Sequence, residues 1–359
     1  MAADPATDPL SAHRVDRAFV LVDRAVIPTW ARRVISALSV AALLVAVPAA
    51  VQTSTTVAPA TSSARVQNLK IRILSTMLAD DGIGEWGFAA IVDADGHRIL
   101  FDTGARPNTV LENARELRVD LTGVPDVVLS HNHSDHTGGL LTLRRDVAPR
   151  APGALARVHV GRGLFWSRPT ADGAGESNLP LKTRADYAAA GLTFVEHDAP
   201  QRIQPGVWLT GPVPRVHPER NWSGRGKVKT PEGLVEDTIP EDQSLVIDTD
   251  RGLVILAGCG HAGIVNTVEY ARKIVRPVPV HAIVGGLHLY VLDDERLNWT
   301  ADQLKSFGLE HLLGAHCTGI EAVYRIRQRA GLDRKTAVVG AVGSSFVLGE
   351  GIDPRELAR

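Results

Sequence analysis

The feature that most constrains this chain is a short apolar run followed at once by four side chains that can bind metal ions. Residues 127–129 (Val-Val-Leu) have the composition of a buried strand, and the next loop carries His131, His133, Asp135 and His136. In an extended loop, side chains two residues apart point the same way, so His131 and His133 can bind one ion as neutral imidazoles. Asp135 and His136, one step further round the turn, can bind a second ion.

This donor set of imidazole nitrogens and carboxylate oxygens suits Zn²⁺, and also Fe²⁺ or Mn²⁺, and two such ions can share one hydroxide. A solvated His-rich loop is the alternative, but a strand, four ligand-type residues and a glycine pair in direct succession favour the metal site. The pattern therefore predicts an enzyme with hydrolytic chemistry that binds two metal ions, and zinc is the preferred candidate for both.

Further short motifs lie on both sides of the His-rich loop. They are Glu-Trp-Gly at 85–87, Phe-Asp-Thr-Gly at 101–104, Gly-Pro-Val-Pro-Arg at 211–215, Glu-Asp-Gln-Ser-Leu at 241–245, Gly-Cys-Gly-His-Ala-Gly at 258–263, Gly-Gly-Leu-His-Leu at 285–289 and His-Cys-Thr-Gly at 316–319. Together with the loop, this set resembles the metallo-β-lactamase superfamily, and specifically its dihydropterin/ribofuranosylaminobenzene phosphate synthase-like branch. The chain departs from that branch at Trp86, Pro212 and Gly260, where we expect His, an acidic residue and Ser.

The resemblance implies a fold of the α/β (α+β) class, an αββα sandwich with the metals at one edge where strand ends meet. Hydrophobic patterning predicts strands at residues 69–74, 88–92, 98–101, 127–129, 244–248, 253–257, 280–284 and 336–348, and helices at 109–117, 139–145, 266–275 and 321–328. Thr137 is the predicted N-cap of the second helix. Residues 148–241 are rich in Gly, Pro and Arg, and we predict a long irregular insertion with substrate contacts or a lid.

The resemblance also implies roles for residues outside the loop. Asp102 matches a carboxylate that orients a metal-bound His, with a plain turn residue as the alternative. His316 matches the late His of the second metal, with a buried core His as the alternative. Cys259 stands where a bridging carboxylate is expected, and His261 can replace or join it. Asp242 stands near the position of another His, and we choose it as a ligand over a solvated acidic residue.

The remaining roles are assigned from the chemistry of the side chains. Asp135 would hold the proton of the nucleophile while it binds metal, and His288, or His261, would give a proton to the leaving group. Arg215 could bind a phosphate or carboxylate as a two-pronged donor, although a solvent-facing arginine is equally usual. His197 and His217 lack supporting neighbours, so we predict structural or surface roles for them.

The chain contains two cysteines, Cys259 and Cys317, which are too few for a disulfide framework in a domain of this size. Both adjoin predicted metal ligands. Three interpretations stay open: small buried side chains, a thiolate ligand at Cys259, and a Cys259–Cys317 bridge.

The first 64 residues differ from the rest in composition. Arg32-Arg33 precedes an apolar run at residues 34–47 and a stretch at 48–64 that is rich in small residues and contains Ala58-Pro59-Ala60. These are the parts of an export signal, and the twin arginines suggest the route for folded proteins. The apolar run is shorter than the roughly 20 residues that span a bilayer. We predict an exported catalytic domain at 65–359, with an uncleaved membrane anchor or a structural helix as alternatives for the leader.

The charge balance of the chain limits the kinds of partner that it would bind by electrostatic attraction. With 39 basic and 40 acidic residues the net charge is −1, which gives no electrostatic case for nucleic acid or an anionic membrane surface. A small-molecule substrate is predicted, and the sequence does not determine the oligomeric state.

We predict a hydrolase of an ester, lactone or phosphoester. The alternatives are the synthase that the resemblance names, which joins a pterin-type diphosphate to a ribosylaminobenzene phosphate, and a non-catalytic metal-dependent sensor. The hydrolase comes first because an exported enzyme would rarely meet cytoplasmic intermediates.

Overall fold

Two stacked β-sheets with helices on both outer faces form the part of the chain described by the computed structural model, residues 65–358. The strands are β1 (Leu69–Ser75), β2 (Leu78–Ala79), β3 (Ala89–Ala94), β4 (His97–Phe101), β5 (Asp126–Leu129), β6 (Arg157–Gly161), β7 (Thr193–His197), β8 (Gln201–Gln204), β9 (Val207–Leu209), β10 (Lys227–Thr230), β11 (Gly233–Glu236), β12 (Ser244–Thr249), β13 (Gly252–Ala257), β14 (Val280–Gly285), β15 (His311–Gly314), β16 (Ala337–Val339), β17 (Ala341–Val342), β18 (Ser345–Val347) and β19 (Gly351–Asp353). The helices are α1 (Thr109–Glu116), α2 (Ser134–Thr137), α3 (Leu140–Val147), α4 (Leu179–Lys182), α5 (Arg184–Ala189), α6 (Ile264–Ile274), α7 (Asp294–Ser306) and α8 (Ile320–Ala330), and a 3₁₀ turn covers His316–Thr318.

Each sheet combines antiparallel and parallel strands. The first has the order β19-β18-β1-β3-β4-β5-β6-β7, and β4 to β7 run parallel. The second has the order β16-β15-β14-β13-β12-β9-β8, and β13 to β16 run parallel. Parallel strands are buried on both faces and therefore read as unbroken apolar runs. Strand β13, with the sequence Gly-Leu-Val-Ile-Leu-Ala, is such an apolar run and is buried along its whole length.

The layers follow from the two-residue period of the strands. On β13, Val254 and Leu256 belong to the core between the sheets, whereas Ile255 and Ala257 pack with the helices on the outer face. Helices α6, α7 and α8 cover that face of the second sheet, and α1, α3 and α5 cover the outer face of the first. The predicted αββα sandwich is confirmed.

Three local predictions are wrong. Residues 148–241 are not an irregular insertion, because they supply β6 and β7 to the first sheet and β8 and β9 to the second. Residues 336–348 do not form one strand. Gly340 and Gly343 divide them into β16, β17 and β18, and β16 and β18 lie in different sheets. Thr137 is the last residue of α2 and its hydroxyl donates to the backbone oxygen of His133 at 3.1 Å, so it does not cap α3.

The parallel strands place the chemically active residues at one edge. In parallel strands, the loops that follow the carboxyl ends meet on the same side of a sheet. Asp102 follows β4, His131 follows β5, Cys259 follows β13, His288 follows β14 and His316 follows β15. Loops from both sheets therefore converge on one site.

Among residues 65–358, no helix has the length and apolar composition needed to cross a bilayer. The predicted export signal or anchor lies in residues 1–64, outside the described part of the chain.

Candidate metal centre

Three imidazoles form one group where the two sheets meet. His131 and His133 come from the loop after β5 and His261 from the loop after β13, and one ligand atom from each lies within 4.8 Å of the others. The ring centroid of His131 is 4.5 Å from that of His133 and 4.7 Å from that of His261. The Nε2 atoms of His131 and His261 are buried without a hydrogen-bond partner. Since buried polar atoms are nearly always paired, these nitrogens fit a metal ion.

A second group adjoins the first and consists of Asp135, His136 and His316. The Oδ2 atom of Asp135 lies 3.3 Å from Nε2 of His316 and 3.9 Å from Nε2 of His136. Both Nε2 atoms are buried and neither has a hydrogen-bond partner. Two nitrogens and a carboxylate oxygen suit Zn²⁺, Fe²⁺ or Mn²⁺, so this group also fits a metal ion.

Cys259 lies between the two groups. Its sulfur forms a possible ligand set with His131, from the first group, and with His136, from the second. Among the three interpretations left open by the sequence, this position is compatible with a thiolate ligand at Cys259.

Asp102 and Ser130 orient the imidazoles of both groups. The Oδ2 atom of Asp102 lies 2.8 Å from Nδ1 of His136 and accepts a hydrogen bond of 2.7 Å from the hydroxyl of Ser130. That hydroxyl is 2.9 Å from Nδ1 of His131. Each contact occupies Nδ1 and leaves Nε2 for the metal, which is how carboxylates position ligating histidines. The role of Ser130 was not anticipated from the sequence, although its place directly before the first His was visible.

Asp242, predicted as a ligand, contacts the loop that carries His261. Asp242 is buried, and its Oδ2 accepts a hydrogen bond of 2.9 Å from the backbone of Ala262, so it holds the loop that carries His261. Its Oδ1 has no hydrogen-bond partner, and burial raises the pKa of Asp242 to about 6. Nδ1 of His261 is bonded to the backbone oxygen of Asn221, which leaves Nε2 facing the group.

The electrostatic environment keeps the first group neutral. Burial lowers the pKa of His133 to about 4, and it lowers the pKa values of His131 and His261 well below the ordinary value for histidine. Neutral imidazole is the form that binds a metal, so little competition from protons is expected near pH 7.

His288 lies beside the two groups in a left-handed backbone conformation, with φ of 50°. Its ring centroid is 4.6 Å from that of His261, and its Nδ1 is 3.2 Å from the sulfur of Cys259. The side chain is half-buried and lines the cavity described next, so it can contact both the metal site and a bound molecule.

A cavity of about 630 Å³ opens over the site. His133, Asp135 and His261 lie on its lining, and Trp222 and Tyr290 add aromatic surface. Its volume falls in the range typical of small-molecule sites, which are commonly about 300–1,000 Å³. The cavity therefore gives a small organic molecule access to both groups.

Arg215, predicted to bind substrate, is not among the residues that line this cavity. Its guanidinium donates to the backbone oxygens of Thr238 and Ile239, at 2.5 Å and 3.1 Å, so it holds a loop. Arg168 does line the cavity, but its nitrogens are bonded to Asp237 at 2.7 Å, to Glu241 at 2.6 Å and to backbone oxygens. Arg168 is thus held by buried carboxylates and backbone oxygens, and Arg215, whose Nε is buried without a hydrogen-bond partner, lies away from the cavity lining.

Trp86 stands where the resemblance leads us to expect His. Its ring packs edge-on at 5.0 Å from the ring of His316 and at 5.4 Å from that of Tyr290, and 46% of the residue is exposed. At this position the chain therefore has an aromatic surface beside the second group in place of another metal-binding nitrogen.

Two other histidines make contacts outside the two ligand groups. His197 packs against His159, with 3.0 Å between their ring nitrogens, and His217 pairs with Glu269 at 3.0 Å. These contacts agree with the structural and surface roles predicted for them.

Comparison with known proteins agrees with the geometry. The sequence profile of the beta-lactamase superfamily domain matches residues 97–209, which include the His-rich loop. A relative from Methanocaldococcus jannaschii, named 7,8-dihydropterin-6-methyl-4-(beta-D-ribofuranosyl)-aminobenzene-5'-phosphate synthase, is 31% identical over 269 residues, which are 72% of this chain and 90% of that protein.

Two further matches agree. An uncharacterized protein of the same organism is 30% identical over 246 residues, covering 67% of this chain and 87% of that protein. A crystal structure described as a metal-dependent hydrolase of the beta-lactamase superfamily superposes with a TM-score of 0.59 at 27% identity, covering 73% of this chain and 93% of that chain. The chain therefore belongs to the metallo-β-lactamase superfamily, in its dihydropterin/ribofuranosylaminobenzene phosphate synthase-like branch.

Proposed function

We propose that the protein is a metal-dependent hydrolase that acts on an ester, a lactone or a phosphoester. The observation that carries the proposal is the pair of ligand groups, one of three imidazoles and one of Asp135, His136 and His316, which lie beside a cavity of small-molecule size. Two zinc ions are the proposed cofactors, with iron or manganese as alternatives. When bound, such ions would acidify a water and neutralise negative charge on a substrate oxygen.

Asp135 is the residue proposed to hold the proton of the attacking water through a hydrogen bond. Its carboxylate lines the cavity and lies 3.3 Å from Nε2 of His316. Although burial opposes ionisation, the neighbouring His136 and His316 hold the pKa of Asp135 well below its usual range. The carboxylate is therefore ionised at neutral pH and can accept a hydrogen bond from water.

His288 is the proposed donor of a proton to the leaving group. It lines the cavity, and its Nδ1 is engaged by the sulfur of Cys259, so Nε2 is the nitrogen left for a substrate. General acids of this kind must lie within hydrogen-bond reach of the departing oxygen. The ring centroid of His288 is 4.6 Å from that of His261, which supports this role for a substrate held over the first group.

A synthase is the second candidate, because the relative that bears that name matches over 90% of its own length. Under this alternative the same cavity would hold two molecules and join them. The volume of about 630 Å³ and the aromatic lining by Trp222 and Tyr290 are compatible with flat ring systems.

The test compares both reactions on one preparation of the full chain loaded with zinc, iron or manganese. Chromogenic lactones, phosphodiesters, phosphomonoesters and esters are assayed before and after a chelator. In parallel, a pterin-type diphosphate is incubated with a ribosylaminobenzene phosphate and the joined product is sought by mass spectrometry. His133→Ala is the site variant, and His217→Ala is the matched control because His217 pairs with Glu269 outside the ligand groups.

The proposal predicts chelator-sensitive hydrolysis of one substrate class, lost in His133→Ala and kept in His217→Ala. Formation of the joined product without hydrolysis would replace the hydrolase by the synthase. Metal binding with neither activity would favour the third candidate, a metal-dependent sensor.

We also propose that the protein acts outside the cytoplasm, exported or anchored through residues 1–64, with a small-molecule substrate as its partner. The support is the basic, apolar and small-residue order of that segment. Cell fractionation with mass spectrometry of the mature N-terminus tests this. A cytoplasmic protein with an intact N-terminus would contradict it.

A further inference from the structure

The two cysteines of the chain meet at the metal centre although 58 residues separate them. Cys259 follows β13 and Cys317 lies in the 3₁₀ turn after β15, so the pair reaches across the end of the intervening strand β14. Both are buried, and their sulfur atoms lie 3.0 Å apart. That separation is only about 1 Å more than the length of a disulfide bond.

Both sulfurs also contact His288, the proposed proton donor. The sulfur of Cys259 is 3.2 Å from Nδ1 of His288, and the backbone N–H of His288 donates to the sulfur of Cys317 at 3.3 Å. A bond between the sulfurs would therefore change the contacts of a residue that lines the cavity. It would also occupy the sulfur that forms a possible ligand set with His131 and His136.

The backbone around the pair is closely packed. A Cβ atom on Gly286 would lie 2.1 Å from the backbone oxygen of Gly258 and 3.1 Å from the sulfur of Cys317. The absence of a side chain at Gly286 thus lets the loops after β13 and β14 approach each other and brings Cys317 against Cys259. The two sulfurs are held together by the framework of the second sheet, so little movement is needed to join them.

We propose that Cys259 and Cys317 form a reversible disulfide within the chain, and that this bond and the binding of a metal ion by the Cys259 sulfur exclude each other. The first half of this inference stands on the sulfur geometry alone. The second half rests on the proposed metal site. A thiolate ligand and a disulfide are alternative states of the same sulfur, since only the thiolate binds metal.

Hydrogen peroxide is the proposed oxidant, because it is small enough to reach a buried sulfur that contacts the cavity-lining His288. One of the two sulfurs attacks peroxide, the O–O bond breaks, and a sulfenic acid and one water form. The other sulfur then attacks the sulfenic sulfur, the S–O bond breaks, and the S–S bond and a second water form. In total, two protons and two electrons pass from the two thiols to peroxide. A dithiol reductant reverses the change by thiol–disulfide exchange.

The experiment uses the full chain in two forms, stripped of metal and loaded with zinc, with metal content measured for each. Both are treated with hydrogen peroxide, unfolded, and alkylated with iodoacetamide, and the intact protein and its proteolytic peptides are weighed by mass spectrometry. Cys259→Ser and Cys317→Ser are matched variants, since each keeps one thiol and cannot form the internal bond.

The metal-free protein should lose both alkylatable thiols together, yield a cross-linked peptide that contains Cys259 and Cys317, and recover both thiols with dithiothreitol. Zinc should slow that loss several-fold, and neither serine variant should yield the cross-linked peptide. Two thiols that survive peroxide, or that oxidise singly to sulfinic acid, would overturn the disulfide.

Equal rates with and without bound zinc would overturn the mutual exclusion. A chain that binds no zinc in the metal analysis would overturn the exclusion together with the proposed function, while the disulfide result in metal-free protein would stand by itself.

Discussion

The Oδ2 atom of Asp102 lies 2.8 Å from Nδ1 of His136 in a fully buried contact. Through the hydroxyl of Ser130 the same carboxylate also reaches His131, so one acidic residue orients an imidazole in each ligand group. Metal affinity at both groups should therefore depend on a residue that belongs to neither.

The first prediction concerns that carboxylate. Asp102→Asn keeps the size of the side chain but removes its charge, so the orientation of His136 and His131 is weakened. Zinc affinity should fall by about 10- to 100-fold, measured by competition with a chromogenic chelator. Asp302→Asn, at an exposed ion pair with Arg329, is the control and should bind zinc as the native protein does. Unchanged affinity in Asp102→Asn would contradict the orienting role.

The second prediction concerns Gly258, which packs against that same network. A Cβ atom there would lie 2.1 Å from the hydroxyl oxygen of Ser130 and 2.4 Å from Oδ2 of Asp102. Gly258→Ala should lower the free energy of unfolding by about 1–3 kcal/mol, as overpacking usually does, and weaken zinc binding as well. Gly153→Ala is the matched control, because nothing lies within 4 Å of its added methyl group. Equal urea midpoints for the two variants would count against this packing argument.

The third prediction is a pH dependence of stability that arises from Glu219. Its carboxylate accepts hydrogen bonds from the backbone of Val265 and Asn266 at the start of α6, at 3.1 Å and 2.8 Å. Burial raises the pKa of Glu219 to about 7, against the opposing effects of those N–H groups and of His217. Because the folded pKa is raised, the protonated form stabilises the fold fully below the unfolded pKa.

That stabilisation is lost as the pH rises towards 7. The expected change in the free energy of unfolding is on the order of 2–3 kcal/mol between pH 4.5 and 7. Glu219→Gln cannot ionise and should remove this component of the pH dependence. Urea unfolding at a series of pH values measures the difference between variant and native protein. A difference that does not vary with pH would show that Glu219 does not titrate in this range.

The fourth prediction concerns Arg168, which is buried between Asp237 and Glu241. Arg168→Ala would leave two buried carboxylates unpaired and should reduce the free energy of unfolding by about 3–5 kcal/mol. Arg220→Ala removes an exposed partner of Glu236 and should cost at most about 1 kcal/mol. Thermal or urea unfolding compares the two. Similar effects of both substitutions would mean that the Arg168 cluster contributes little to stability.

Motifs and elements whose pattern lies within a short stretch of the chain were identified from the sequence. The His-rich loop could be recognised because its four ligands lie within six residues, and β12, β13 and β14 because apolar residues predominate in each. Helix α7 and strand β15 were missed. In α7 the signal was present in Asp293, which caps the helix by accepting a hydrogen bond of 2.9 Å from the backbone of Arg296.

Features that depend on long-range packing could not be recognised in this way. His261 was named as a ligand only through the resemblance, because sequence spacing carries no information about its distance from His131, which lies in a loop of the other sheet. The exclusion of Arg215 from the cavity has the same origin, since its partners Thr238 and Ile239 belong to a distant loop. Residues 148–241 were misjudged because strands β6 and β7 are short and lie among polar residues.

The central claim is that two ligand groups bind two metal ions, and the metal content of the purified full chain tests it most directly. Elemental analysis should find about two equivalents of zinc, iron or manganese in the native protein. His261→Ala and His316→Ala should each lower that number by about one, because each removes a ligand from a different group. One equivalent or none in the native protein, or the loss of all metal from either variant alone, would contradict a centre built from two groups.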